Sequence, residues 1–181
     1  MKAHEIVKTY VNPLFTRNYW QMVGDYVGIG KHKKTEKIED QDSLATFLNT
    51  RASHVAQTSL YGYLRTRAGT RFPEMFENPD ILTSINIAKW HIWLACLSDL
   101  TIFTGHHLHQ SGEIDESALE ELMNTALKQV LDEIGTHEEA GADFAPATEK
   151  VIQRNATCDW KQEHDDDTVF SQSPEALYYW A

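Results

Sequence analysis

Apolar residues recur at intervals of three and four along most of the chain, which is the spacing of one helical face. No stretch alternates apolar and polar residues over the length of a strand with hairpin turns between. The predicted helices cover residues 3 to 11, 13 to 27, 43 to 68, 79 to 104, 116 to 134 and 146 to 161, with a last short helix from Ser173. We therefore expect a single all-α domain over residues 1–181, a helical bundle of five to seven helices.

The segment from Pro79 to about Thr104 is apolar on every side, which is typical of a helix with no solvent face. An asparagine, a proline and an aspartate at its start form a strong helix-initiation signal. Its length would nearly span a membrane, but Lys89, His91 and Asp99 lie within it and would each be costly in hydrocarbon. We expect the buried central helix of the bundle, about 79–104, and no membrane span.

Local signals also predict where neighbouring helices begin and end. Asp42 or Ser43 can cap the helix that precedes the central one, and Gly69 is placed to end it. A turn is predicted from Gly105 to Gly112. The following helix, residues 116 to 134, carries one narrow apolar stripe and is expected at the surface.

The composition is that of an ordinary globular protein, with 41% apolar and 24% charged residues among 181. A chain of this length can bury a normal core without metal or disulfides. Cys96 and Cys158 are too few for a disulfide scaffold, and Met1–Glu5 has no apolar stretch typical of a signal peptide. We expect a soluble protein of the reducing cytoplasm.

Charge is distributed unevenly along the chain. Residues 1–71 carry 11 basic and 6 acidic side chains, and residues 72–181 carry 5 and 21, which together give the net charge of −11. Either the basic part pairs with the acidic part or each meets a different partner. The overall acidity argues against general binding of duplex DNA, because phosphate contacts supply most non-specific affinity.

A local basic patch remains at the end of the third predicted helix, where Arg65, Arg67 and Arg71 lie close to two tyrosines. Arginine and tyrosine can hold a phosphate or stack on a base. The helix dipole disfavours anions at this end, so the side chains alone would have to bind them. We predict an anion contact there, with internal pairing to the acidic part as the alternative.

Nine histidines raise the question of a metal site, but no Glu-x-x-His, His-x-x-x-His or His-Glu-x-x-His pattern occurs. A local cluster of His106, His107 and His109 remains as a candidate ligand set. The alternative is that the dipole at a helix C-terminus stabilises these histidines without metal. No cofactor is predicted, and a metal remains open.

Polar groups inside the central helix suggest a second kind of site. Ser84, His91 and Ser98 recur every seven residues on an otherwise apolar helix, which fits close helix packing. The alternative is a polar cavity in a bundle, where convergent polar groups in an apolar pocket mark a binding site. The candidate pocket residues are His54, Arg65, His91 and Asp99.

The last residues include four large apolar or amphipathic side chains, Leu177, Tyr178, Tyr179 and Trp180. Chain ends are usually frayed and polar unless something holds them. We expect these side chains either to dock on this domain or to anchor a partner.

No motif for nucleophilic hydrolysis, phosphate binding or dinucleotide binding occurs in the sequence. The favoured interpretation is a non-enzymatic interaction or regulatory protein, with a protein partner or a homo-oligomer. The alternative is an enzyme or sensor that binds a metal or small ligand in a polar pocket inside the bundle.

Overall fold

The computed structural model describes residues 37–135, 137–162 and 166–181. Helices make up most of these residues, and no strand occurs among them. The α-helices are α1 (Gln41–Ala68), α2 (Pro79–Ser111), α3 (Glu116–Ile134), α4 (Phe144–Ala156), α5 (Asp166–Val169) and α6 (Gln172–Trp180). Short 3-10 helices cover Gly69–Arg71, Pro73–Glu77 and Glu138–Ala140. The predicted all-α class is confirmed. The helices predicted over 3 to 11 and 13 to 27 lie outside the described residues, so a single domain over the whole chain stays a prediction.

Helix α2 is the axis of the bundle and packs against α1, α3, α4 and α6. Every residue from His91 to Asp99 is buried, so the helix has no solvent face along this stretch. Its first turn forms as predicted, because the Asn78 side chain accepts hydrogen bonds from the N–H groups of Asp80 and Ile81. In the part of the chain that the structure describes, no helix combines the length and the hydropathy of a transmembrane segment.

The predicted turn from Gly105 to Gly112 is wrong, because α2 continues as a helix to Ser111. Gly105 does not end the helix. It lies under the indole of Trp160, where a Cβ atom would come within 2.2 Å of Cζ3. Gly112 ends the helix instead, in the left-handed conformation with φ of 69°.

Helix α1 begins slightly earlier than predicted, because Asp40 is its cap. The Asp40 carboxylate accepts from the N–H of Ser43 at 2.8 Å, and the Ser43 hydroxyl accepts from the N–H of Asp40 at 3.1 Å. Ser43 therefore completes a capping box three residues inside. The predicted end is confirmed, since Gly69 has φ of 55° and its N–H donates to the Arg65 carbonyl.

Helix α3 follows its predicted bounds and buries Leu119, Met123 and Val130 from its apolar stripe. Helix α4 differs, since it runs from Phe144 to Ala156 rather than over 146 to 161. The chain leaves the helix after Ala156 and turns, which brings the Trp160 ring onto α2.

Candidate functional site: a cleft beside the last helix

Helix α6 lies against α2 and divides its large side chains between two faces. Leu177 and Trp180 pack against the core, whereas Tyr178 is 94% exposed and Tyr179 is 77% exposed. The four residues predicted to act together therefore separate into a docked pair and a solvent-facing pair. No residue of α6 is fully buried.

A buried carboxylate holds the start of α6. Asp99, which is 0% exposed, accepts a hydrogen bond from Arg154 Nη1 at 2.7 Å. It also accepts from the backbone N–H of Ser173 at 2.7 Å and of Gln172 at 3.3 Å. A negative charge at a helix N-terminus is favourable, so Asp99 acts as the cap of α6 from another helix. Arg154 additionally donates to the Val169 carbonyl, which fixes the end of α5.

A cleft of about 790 Å³ opens between α2, α4 and α6. Apolar side chains dominate its walls, and the polar groups are few. The lining includes Leu94, Ala95, Ala147, Val151 and Trp180, with the two exposed tyrosines at one side and Lys150 and Glu175 among the polar groups.

His91 lines this cleft and is almost fully buried. The indole of Trp180 stacks on its ring, with centroids 4.1 Å apart and planes at 19°. The Phe144 ring stands perpendicular to the His91 ring, with the two centroids 5.8 Å apart. Burial lowers the pKa of His91, while the nearby Ala140 backbone and the charge of Asp143 oppose this shift. The ring nitrogen Nε2 has no hydrogen-bond partner among the described residues.

The four residues predicted to form a polar pocket do not line one cavity. His54 is half-buried on α1, and Arg65 is exposed near the C-terminal end of the same helix. Asp99 accepts hydrogen bonds from Arg154 and from the backbone N–H of Ser173 at the N-terminus of α6. Of the four candidates, His91 is the one that lines the cleft.

A smaller cavity of about 260 Å³ lies on the other side of Trp180. Leu60, Leu64 and Ile85 contribute apolar walls, and Asp80 contributes a charge. Trp180 lines both spaces, so the position of this one indole affects the shape of each.

The predicted histidine cluster is dispersed by the extra turns of α2. His106 is buried, and its Nδ1 lies 3.2 Å from the Trp160 carbonyl oxygen. Because a carbonyl oxygen can only accept a hydrogen bond, Nδ1 carries the hydrogen and donates it. His107 is exposed and stacks on Phe103. His106 and His107 are successive residues of α2 and point about 100° apart, so these two side chains do not converge. In the described part of the chain, no three side chains of the types that bind metal come together.

Both cysteines are free thiols. Burial raises the pKa of Cys96 to about 12 and of Cys158 to about 11. His106 Nε2 lies 3.7 Å from the Cys158 sulfur. Burial is the largest cause at Cys158 and outweighs the charge of Arg154, which acts in the opposite direction, so this thiol is not a ready thiolate nucleophile.

The predicted anion patch is exposed, as Arg65, Arg67 and Arg71 all face solvent. Arg67 lies over the Tyr63 ring at 5.9 Å. Within the described ranges, ion pairs join Lys89 to Glu139, Lys128 to Asp132, Arg154 to Asp99 and Lys161 to Glu116. All of these lie in the acidic part of the chain. Anion binding at the three arginines stays a prediction.

Sequence reasoning missed Arg154 and Trp160. The helix dipole favours a basic residue in the last turn of a helix, but this local signal does not reveal that Arg154 pairs with a buried aspartate.

Comparisons with protein-family models, with curated proteins and with solved structures find no match. The cleft and its chemistry therefore carry the functional argument.

Proposed function

We propose that the protein binds a small molecule in the cleft between α2, α4 and α6 and acts as a ligand-binding or sensor protein. The volume of about 790 Å³ suits this role, because small-molecule sites are commonly clefts of roughly 300 to 1,000 Å³. Mostly apolar walls with a few polar groups are also typical of such sites.

The observation that carries the proposal is the unpaired Nε2 of His91. A buried polar atom without a partner costs about 1 to 3 kcal/mol, so most buried polar atoms in proteins have one. His91 lines the cleft, so a molecule bound beside this ring can supply the missing hydrogen bond once Nε2, which is closed to solvent in the described structure, is uncovered.

Two alanines of α4 provide the test. Ala147 lines the cleft, whereas Ala145 is exposed on the same helix. Ala147→Trp should fill the cleft, and Ala145→Trp is the matched control that adds the same side chain elsewhere. We expect ligand-observed NMR with a set of neutral, acidic and basic aromatic fragments to detect binding to the wild type and to the control. Loss of that binding in Ala147→Trp supports the site, and fragments that bind the variant equally well would refute it.

The exposed tyrosines favour a second candidate function, binding of a protein partner or of a second copy of the chain. Large aromatic side chains bury much area at low entropic cost, and Tyr178 and Tyr179 are mostly exposed. Sedimentation of the wild type and of a Tyr178→Ser/Tyr179→Ser variant tests self-association. Concentration-dependent association that the variant abolishes, without a change in melting temperature, supports this function, and a monomeric wild type rejects the homo-oligomer.

A cytoplasmic location belongs to the same proposal. It is supported by the two free thiols, which suit a reducing compartment.

A further inference from the structure

Helix α1 differs from the rest of the chain in its charge. The chain carries 27 acidic residues among 181, yet none of them lies in residues 43–73, which contain nearly all of α1 and the turn after it. The Lys, Arg, Asp and Glu side chains of this stretch are four arginines, Arg51, Arg65, Arg67 and Arg71. A surface with basic groups and no carboxylate has a positive potential, which attracts an acidic partner.

These four arginines are exposed and keep their charge unpaired within the described fold. The ion pairs found in the described part of the chain join Lys89, Lys128, Arg154 and Lys161 to carboxylates, and none of them includes an arginine from residues 43–73. Their guanidinium groups are therefore free to pair with carboxylates from outside the described residues.

One face of α1 is exposed along most of the helix. Its residues follow one another at intervals of four and three, which places them on the same side, and all are exposed: Arg51, Val55, Thr58, Gly62 and Arg65. At the rise of an α-helix, its two arginines lie roughly 21 Å apart along the axis. We call this surface the arginine face.

The centre of the arginine face is flat, because its side chains are small. No atom outside the backbone of α1 lies within 4 Å of the place where a Cβ of Gly62 would stand. Val55 is 49% exposed and offers an apolar contact. How closely two helices pack depends on the side chains between them, so Thr58 and Gly62 allow another helix to come near. Side chains of that helix can then reach the arginines at both ends.

The aromatic residues of α1 favour an acidic protein segment over a nucleic acid. Tyr63 is the exposed aromatic side chain of this helix, and the Arg67 guanidinium already lies over its ring at 5.9 Å. Bases of a single strand need an open ring to stack on, and a net charge of −11 repels a polyanion. The Arg51 guanidinium lies over the Phe47 ring at 5.8 Å, and this contact restricts its motion before a carboxylate binds.

We propose that the arginine face binds an acidic helix of a partner protein, whose carboxylates pair with Arg51 and Arg65 while its backbone packs over Thr58 and Gly62. The residues that line the ligand cleft come from α2, α4 and α6, so this second surface does not depend on the proposed function.

The probe is a blocked alanine-based helix of about 20 residues, roughly 30 Å long, with glutamates along one side. The same peptide with glutamine in place of glutamate is its control. We expect fluorescence anisotropy to show tighter binding of the glutamate peptide to the wild type. Arg51→Gln/Arg65→Gln should weaken that binding about tenfold, roughly threefold for each exposed ion pair. Lys128→Gln/Lys161→Gln removes the same charge from exposed lysines that already pair with carboxylates, and it should retain the wild-type affinity.

A second variant tests the packing without changing the charge. Gly62→Trp adds an indole at the centre of the arginine face, where open space should let the protein fold. We expect it to weaken binding of the glutamate peptide at least about tenfold, because the peptide backbone can no longer approach. Ala145→Trp adds the same side chain at an exposed position of α4 and should bind as the wild type does.

Four results would overturn the proposal. These are equal binding of the glutamate and glutamine peptides, equal weakening by the two double variants, wild-type affinity in Gly62→Trp, and tighter binding of a thymidine oligonucleotide that the arginine variant abolishes. The last result would favour a nucleic acid. Should a variant not fold, amide NMR signals of the wild type decide the matter. The glutamate peptide must shift the signals of Val55, Thr58 and Gly62, and shifts confined to other helices would reject the arginine face.

Discussion

Removing Arg154 should destabilise the protein more than its partly exposed position suggests. Its guanidinium is the one charged partner of Asp99 among the described residues, and the Asp99 carboxylate is fully buried. Arg154→Met keeps most of the aliphatic volume and leaves Asp99 with two backbone N–H donors from α6. Breaking one side of a buried ion pair costs about 3 to 5 kcal/mol, and the remaining donors place the expected loss near 3 kcal/mol.

A double-mutant cycle tests this reasoning. Asp99→Asn keeps the shape but removes the charge, and we expect a loss of about 2 kcal/mol, because the Arg154 side chain is 22% exposed and can reach water. If the two charges compensate each other, Asp99→Asn combined with Arg154→Met should lose about 3 kcal/mol rather than the additive 5. Urea unfolding at pH 7, followed by circular dichroism, gives each free energy of unfolding.

An exposed ion pair of the same length is the matched control. Lys161 Nζ lies 2.7 Å from a Glu116 oxygen, as Arg154 lies 2.7 Å from Asp99, but both Lys161 and Glu116 are largely exposed. Lys161→Met should therefore change stability little. Losses that add within about 0.5 kcal/mol in the cycle, or an Arg154→Met variant as stable as the control, would refute the assignment of Asp99 as a buried charge that depends on Arg154.

Further predictions concern packing and thiol chemistry. Gly105→Ala should destabilise by about 1 to 3 kcal/mol in urea unfolding, because its methyl group would overlap the Trp160 ring. Gly62→Ala, in a helix with open space around it, should stabilise by up to about 1 kcal/mol, and a stabilising Gly105→Ala would contradict the packing. Iodoacetamide at pH 8 should modify Cys96 and Cys158 slowly until urea unfolds the chain, because burial raises their pKa values to about 12 and about 11, and rapid native modification would reject this. In the unfolded chain Cys96 loses its proton near its ordinary pKa of 9.0, whereas burial in the folded chain raises this pKa to about 12. The free energy of unfolding should therefore fall as pH rises between these values, and it should fall less steeply in Cys96→Ala.

The sequence by itself was enough for the class and for most helix starts and ends in the described residues. The cap at Asn78, the proline at the first position of α2 and the stop at Gly69 act through atoms within a few residues, so local chemistry determines them. The buried nature of α2 was also readable, because a helix that is apolar on every side has to be covered.

Only the tertiary structure decided the features that join distant residues. Glycine at position 105 reads as a stop by local rules, yet the fold uses its missing side chain to admit Trp160, which lies 55 positions away. His91 lies 89 positions before Trp180, and no periodicity encodes their stacking or the cleft beside them. Asp99 was named from the sequence as a candidate pocket residue of the central helix, but its partners Arg154 and Ser173 come from separate elements. Such pairings depend on how whole helices pack, which is determined by the sum of many contacts rather than by the pattern of any one segment.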